Sequence, residues 1–168
     1  MAIIEVKELS KSFENKEAKV EALRNINFNV EEGDIYGIIG MSGAGKSTLV
    51  RCLNFLEKPS LGSVTVDGKN LGSLSGKELR ELRSSIGMIF QNYNLVERLT
   101  VFENALHGCL GALPFYRSLL GLYPQDEKER ALAILEELGL SDYLYQRCTD
   151  LSGGQKQRTG IARALMQN

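Results

Sequence analysis

Two glycine-rich strings hold the residues of this 168-residue chain whose types and spacing could do chemistry. The first is Gly40-Met41-Ser42-Gly43-Ala44-Gly45-Lys46-Ser47-Thr48, with GxxxxGKS spacing. Its glycines let successive N–H groups turn into one concavity, and a helix starting near Lys46 adds a positive dipole end. The string therefore reads as a phosphate-binding loop. Lys46 supplies a mobile point charge able to reach β- and γ-phosphates, and the Ser47 hydroxyl suits Mg²⁺. The second string, Leu151-Ser152-Gly153-Gly154-Gln155, precedes a helical stretch over Lys156–Met166. It again places a hydroxyl and free N–H groups at a positive helix end. Taken alone, Ser152 is also an ordinary N-cap and the glycines an ordinary tight turn.

Other segments must hold these strings in place. The apolar run Ile35-Tyr36-Gly37-Ile38-Ile39 predicts a strand entering the first string. Leu49, Cys52, Leu53 and Leu56 predict one apolar face on the helix that leaves it. Upstream, Ile4 and Val6 alternate with Glu5 and Lys7, a half-buried strand within Ile3–Leu9. Lys11-Ser12-Phe13 follows, and polar residues from Glu14 to Lys19 form a hairpin connection. A second strand lies within Val20–Val30, alternating strictly only from Ile26, and Glu31-Glu32-Gly33-Asp34 turns the chain. Val64-Thr65-Val66 predicts a strand running into an Asp67-Gly68 turn. Ile86–Phe90 predicts a buried strand that stops at Gln91. Ser75 with Glu78 and Thr100 with Glu103 have capping-box spacing, the former opening a helix to about Arg83. Asp126–Leu138 puts Ala131, Ile134, Leu135 and Leu138 on one helix face, with Gly139 as C-cap and Ser141 capping a further short helix. Ile161, Ala162 and Leu165 are the packing residues of the last helix.

Hydrophobic residues make up 43% and charged residues 24%, ordinary for a globular chain. A net charge of −1 speaks against a broad nucleic-acid surface. Cys52, Cys109 and Cys148 form no CxxC pair and read as reduced packing residues of a cytosolic chain. His107 is the only histidine, which disfavours a His-based metal site. The start lacks a signal-peptide pattern, and no run of ~18 apolar residues suggests a membrane span. The nearest candidate, residues 105–123, is interrupted by His107, Pro114 and Arg117. Within it, Leu113–Tyr116 and Leu119–Tyr123 read mainly as internal packing, with a docking surface through Phe115 and Tyr116 as the sharper alternative.

The chain resembles the ATP-binding subunits of ABC transporters over essentially its whole length. Gly40–Thr48 is similar to the family's phosphate loop, Gln91 at a strand end to its Q-loop, and Leu151–Gln155 to its LSGGQ signature. Phe13 falls where the family stacks an aromatic ring on adenine, although a packed aromatic beside a hairpin reads equally well. The resemblance implies an α/β fold: a P-loop NTPase (RecA-like) core with an N-terminal antiparallel β-subdomain and an inserted helical subdomain. It places core and β-subdomain at 1–97, the helical subdomain at 98–155 and the signature helix at 156–168. It further implies ATP and Mg²⁺ as ligands, with Ser47 and Gln91 near the metal. Ser152, Gly153 and Gly154 would close on the γ-phosphate held by a second copy, in a head-to-tail homodimer. Permease subunits would be direct partners and a periplasmic or extracellular solute-binding protein an indirect one. No nucleic acid is expected, and the location is cytoplasmic, peripheral on the inner membrane face.

Arg117–Leu122, Glu129-Arg130-Ala131, Tyr145-Gln146-Arg147 and the long segment between Glu103 and Asp126 look like phosphonate-import ATPases. Asp34–Gly40 and Ser63–Gly68 look equally like methionine-import ones. The resemblance favours a phosphonate importer; a methionine importer, a non-catalytic nucleotide-binding ABC fragment and a soluble non-transport ABC ATPase are the alternatives. Complete members carry a further apolar strand ending in the Walker-B Asp and catalytic Glu, then a switch His. None of these lies among the 168 residues, since Asp126-Glu127 opens a helix. The expectation is a core sheet lacking members, as in a fragment or a chain completed by a partner, with weak nucleotide binding and negligible hydrolysis.

Overall fold

The structure is a computed structural model that describes residues 2–14 and 19–167, apart from the Phe115 side chain. The chain forms two compact units, Met1–Leu79 and Arg80–Asn168.

The first unit is built on a four-stranded antiparallel sheet of order β2-β1-β3-β4. β1 (Ala2–Glu14) and β2 (Lys19–Glu31) form a long hairpin running from Glu14↔Lys19 to Ala2↔Glu31. The middle of the predicted hairpin connection, 15–18, lies outside the described residues. Both strands exceed their predicted bounds because their alternation is broken by bulges. Glu8 takes φ +49° and its N–H donates to Asn27 Oδ1 at 2.8 Å. Gly62 must be glycine opposite this bulge, since a Cβ there would run into the Glu8 carbonyl. β3 (Leu61–Val66) pairs with β1, and Asp67 (φ +48°) with Gly68 (φ +70°) makes the two-residue turn into β4 (Lys69–Asn70). Val6, Leu9, Leu23, Val30, Val64 and Val66 are buried, as are Leu49 and Cys52 of α1 (Lys46–Leu53). That helix stops before Leu56, which is exposed, because Phe55 adopts φ +58°. The Ser75 capping box forms, with Ser75 N–H donating to Glu78 at 2.8 Å, and opens α2 (Gly76–Ser84).

In the second unit, α3 (Val101–Leu106) starts on the Thr100–Glu103 capping box, whose hydrogen bonds hold the Glu103 carboxyl below its ordinary pKa. α4 (Phe115–Leu120) and α5 (Gln125–Glu137) follow. α5 ends in a Schellman arrangement: Gly139 (φ +64°) donates to Glu136 O and Leu140 donates to Leu135 O. Ser141 lies inside a 3-10 turn and makes no side-chain cap, contrary to its predicted role, because Leu140 occupies the cap position. α6 spans Gly153–Leu165, three residues earlier than predicted, since Ser152 caps it directly. One core joins Val101, Ala105, Leu135, Leu140, Cys148, Leu151 and Ala162, and a second joins Leu106, Cys109, Ala131 and Met166. Leu165 is exposed, and Met166 takes its expected place in the packing.

Gly108 sits where the chain after α3 crosses the end of α6. A Cβ there would overlap the Arg163 carbonyl oxygen and approach Met166 Cβ to 2.6 Å. Gly108→Ala should destabilise this unit by about 1–3 kcal/mol, the usual cost of overpacking, measurable by urea denaturation.

Two predicted strands are absent. Ile35–Ile39 and Ile86–Phe90 belong to no ladder, and Ile35 and Ile39 are 102% and 95% exposed. A buried parallel strand exists only beside its neighbours, and no described segment pairs with either run. The 113–123 segment is also only half internal. Leu113 and Tyr123 pack on the second core, while Tyr116, Leu119, Leu120 and Leu122 are exposed; the Phe115 side chain lies outside the described part.

Candidate functional site

The first glycine string is reached from β2 through a turn and the run 35–39. Glu31 N–H donates to Asp34 Oδ2 at 3.0 Å and Asp34 N–H to Glu31 O at 3.2 Å, closing the predicted turn. Tyr36 then stacks on Phe28 of β2, with ring centroids 4.9 Å apart and planes 13° apart, which anchors the approach to Gly40. Ala44 N–H donates to Met41 O, and Gly43 (φ +80°) and Gly45 (φ +86°) occupy the left-handed region. Gly45 is the N-cap of α1, a residue with no side chain to cap it. The leading N–H groups of α1 have no helical partner, as at any helix start. Lys46 Nζ donates to Gly40 O and Met41 O at 2.7 Å each, lying across the loop carbonyls. Met41, Ser42 and Ser47 are exposed, and Lys46 and Thr48 are half-buried. An uncapped helix start with glycine backbone, an ammonium and a hydroxyl is a donor set that fits a Mg²⁺-bound polyphosphate.

Phe13, near the end of β1, is partly exposed, and Lys11 Nζ lies 4.8 Å from its ring centroid. The same ammonium meets Glu57 at 3.1 Å and Lys58 O at 2.9 Å, so one face of the ring is covered.

The second string belongs to the other unit. Leu151 is buried and anchors it, while Ser152, Gly153 and Gly154 are exposed. Ser152 does act as an N-cap: its Oγ accepts from Gln155 N–H at 3.4 Å, and Gln155 Oε1 accepts from Ser152 N–H at 2.7 Å. Gln91 is exposed in a turn closed by Tyr93 N–H donating to Phe90 O at 3.0 Å. Arg163 of α6 reaches this turn and donates to the carbonyls of Tyr93 and Asn94. No local pattern points to that pairing, because the residues are about seventy positions apart in the chain. Among the described residues no helix is long and apolar enough to cross a membrane.

The family model described as ABC transporter matches residues 23–168. The phosphonates import ATP-binding protein of Treponema denticola is 56% identical over 166 residues, which is 99% of this chain and 64% of that protein. A second phosphonates import ATP-binding protein, from Oceanobacillus iheyensis, is 51% identical over 168 residues, 100% of this chain and 65% of that protein. The chain thus spans about two thirds of the length of these curated relatives. Among solved structures, a dimeric bacterial ABC transporter cassette superposes with a TM-score of 0.87 at 35% identity, covering 98% of this chain and 69% of that one. The same cassette in a post-hydrolysis state bound to ADP and Pi gives 0.84. The sheet and helices described above are therefore part of an α/β P-loop NTPase fold, and this chain belongs to the ABC transporter family.

Proposed function

We propose that the chain is the leading part of an importer's ATP-binding subunit, with phosphonate as the transported solute class. The observation that carries this reading is the uncapped, glycine-lined start of α1 beside Lys46, together with a complete LSGGQ string at the start of α6. The names of the relatives from T. denticola and O. iheyensis support phosphonate over methionine.

The N–H groups from Gly43 to Thr48 would cradle the β- and γ-phosphates of ATP. Lys46 would leave the Gly40 and Met41 carbonyls to meet them, exchanging two neutral acceptors for charged ones. Ser47 would hold Mg²⁺, with Gln91 facing the metal or the attacking water. The metal, when bound, neutralises charge that develops on the transferring phosphoryl group. Phe13 would offer its uncovered face to adenine. Ser152, Gly153 and Gly154, exposed at the tip of α6, would close on the γ-phosphate of a second copy, since one helix start alone leaves that group in water. The dimeric state of the cassette at TM-score 0.87 supports this pairing. The exposed Tyr116, Leu119 and Leu120 suit contact with a permease subunit at the inner membrane face, with the solute-binding protein engaged indirectly.

Isothermal titration with MgATP tests the loop. The 168-residue chain should bind weakly and measurably, and Lys46→Ala should bind at least tenfold more weakly with an unchanged melting curve. Equal affinity in the two proteins refutes the assignment, and phosphate release at the rate of a whole transport ATPase would overturn only the expected inactivity of these 168 residues.

A further inference from the structure

The turn that carries Gln91 is held in shape from α6. Tyr93 and Asn94 stand consecutively in the left-handed region, at φ +59° and +49°, which non-glycine residues keep only when something holds them there. Arg163 does so: Nη1 donates to Asn94 O at 2.5 Å and Nη2 to Tyr93 O at 2.7 Å. A planar guanidinium presents two donor nitrogens in a fixed fork, and here each takes one of two successive carbonyls. The rest of Tyr93 lies along the same helix. A Cβ on Gly160 would stand 3.7 Å from Tyr93 O and 4.0 Å from its Cα. A Cβ on Gly153 would stand 3.7 Å from the phenol oxygen. Gly153 and Gly160 are two turns apart on one face, and Arg163 continues that face. Tyr93 therefore spans from the middle of α6 to the first glycine of its exposed tip.

We infer that Arg163 and Tyr93 are positioning residues that hold the Gln91 turn against α6, so that the placement of Gln91 depends on the Arg163 fork and the Tyr93 ring. The inference rests on the proposed role of Gln91. Its geometry has a separate readout.

Hydrogen–deuterium exchange on the 168-residue chain tests it, with and without saturating MgATP. Without nucleotide, Arg163→Ala should speed exchange of amides 92–96 at least tenfold and leave α3 and α5 at wild-type rates. Asn94→Gly in the Arg163→Ala background should restore part of the protection, because glycine keeps the left-handed shape unaided. With MgATP, the wild type should gain protection at 43–48 and at 91–94, and Arg163→Ala should lose only the second response. An even rise across α3, α5 and α6, or unchanged rates at 92–96, overturns the inference. Tyr93→Ala is the second variant and should raise exchange at 152–155 at least threefold; wild-type rates there also overturn it. Absence of MgATP protection at 43–48 in the wild type sinks the nucleotide reading instead, and the nucleotide-free comparison still decides the inference.

Discussion

Asn104→Asp is expected to cost the helical unit about 3–5 kcal/mol at neutral pH, the range for a buried charge left without a partner. Asn104 is fully buried on α3. Its Oδ1 accepts from Val96 N–H at 2.8 Å, and its Nδ2 donates to Val96 O, Thr100 O and Cys148 Sγ at 3.1, 2.9 and 3.1 Å. The side chain thus ties the segment before α3 and the Cys148 turn to the helix that lies between them. An ionised carboxylate in its place would keep the Val96 N–H on one oxygen, while the other would face two carbonyl oxygens and only a weak thiol donor. Burial pushes the Cys148 pKa up and keeps the thiol protonated, and its S–H is too weak a donor to offset a buried charge. The introduced carboxyl would therefore have a folded-state pKa raised above its unfolded value of ~3.9. The sign follows: the loss is smallest below that value, where the protonated acid can donate, and grows as pH rises towards neutrality. Asn104→Leu gives the contrast. Val96 O and Thr100 O keep donors in Leu99 N–H and Asn104 N–H, so only Val96 N–H is orphaned. That variant should lose about 1–3 kcal/mol, independent of pH. Melting curves of both variants at pH 4 and pH 7 check the pair. A pH-independent loss in Asn104→Asp would show that the carboxylate finds water or a donor.

This network also marks the limit of what the sequence discloses. Features set by neighbours three or four residues away were legible: the capping boxes at Ser75 and Thr100, the Asp67–Gly68 turn, the Gly139 cap and the apolar face of α5. The two glycine strings were legible for the same reason, since spacing and composition define them. The larger failures depended on distant partners, whereas the missing Ser141 cap and the early stop at Phe55 were local. Ile35–Ile39 and Ile86–Phe90 have strand composition, yet a ladder needs a second strand that no local pattern supplies. The bulges of β1 answer to Asn27 and Gly62, and the Tyr93–Asn94 turn answers to Arg163. Asn104 alone left a trace, as a polar residue between the apolar positions Val101 and Ala105.

Gly45→Ala should be the most damaging single change in the phosphate loop, and its neighbours show why. Gly43 and Gly45 share nearly the same positive φ, and a side chain in that region costs roughly 1–2 kcal/mol at either position. Around Gly43 nothing lies within 4 Å of an added Cβ, so Gly43→Ala should cost about that much and no more. At Gly45 the Cβ would collide with the Ala22 carbonyl oxygen and stand 3.1 Å from Leu23 Cδ2. Ala22 and Leu23 belong to β2, paired into the sheet, so the strand cannot retreat without breaking its ladder. The loop must move instead, and with it the first turn of α1, where Lys46 and Ser47 begin. Gly45→Ala should therefore lose about 2–4 kcal/mol of stability, the left-handed penalty plus an overpacking cost. It should also abolish measurable MgATP binding at concentrations that saturate the wild type. Gly40→Ala is the control: its Cβ would make ordinary contacts with Ala44 Cβ at 3.4 Å and Lys46 Cδ at 3.9 Å, so the fold should be indifferent to it. Chemical denaturation and titration of the three variants rank them. Equal losses in Gly43→Ala and Gly45→Ala would mean that backbone conformation, and not the wall formed by β2, sets the shape of the loop.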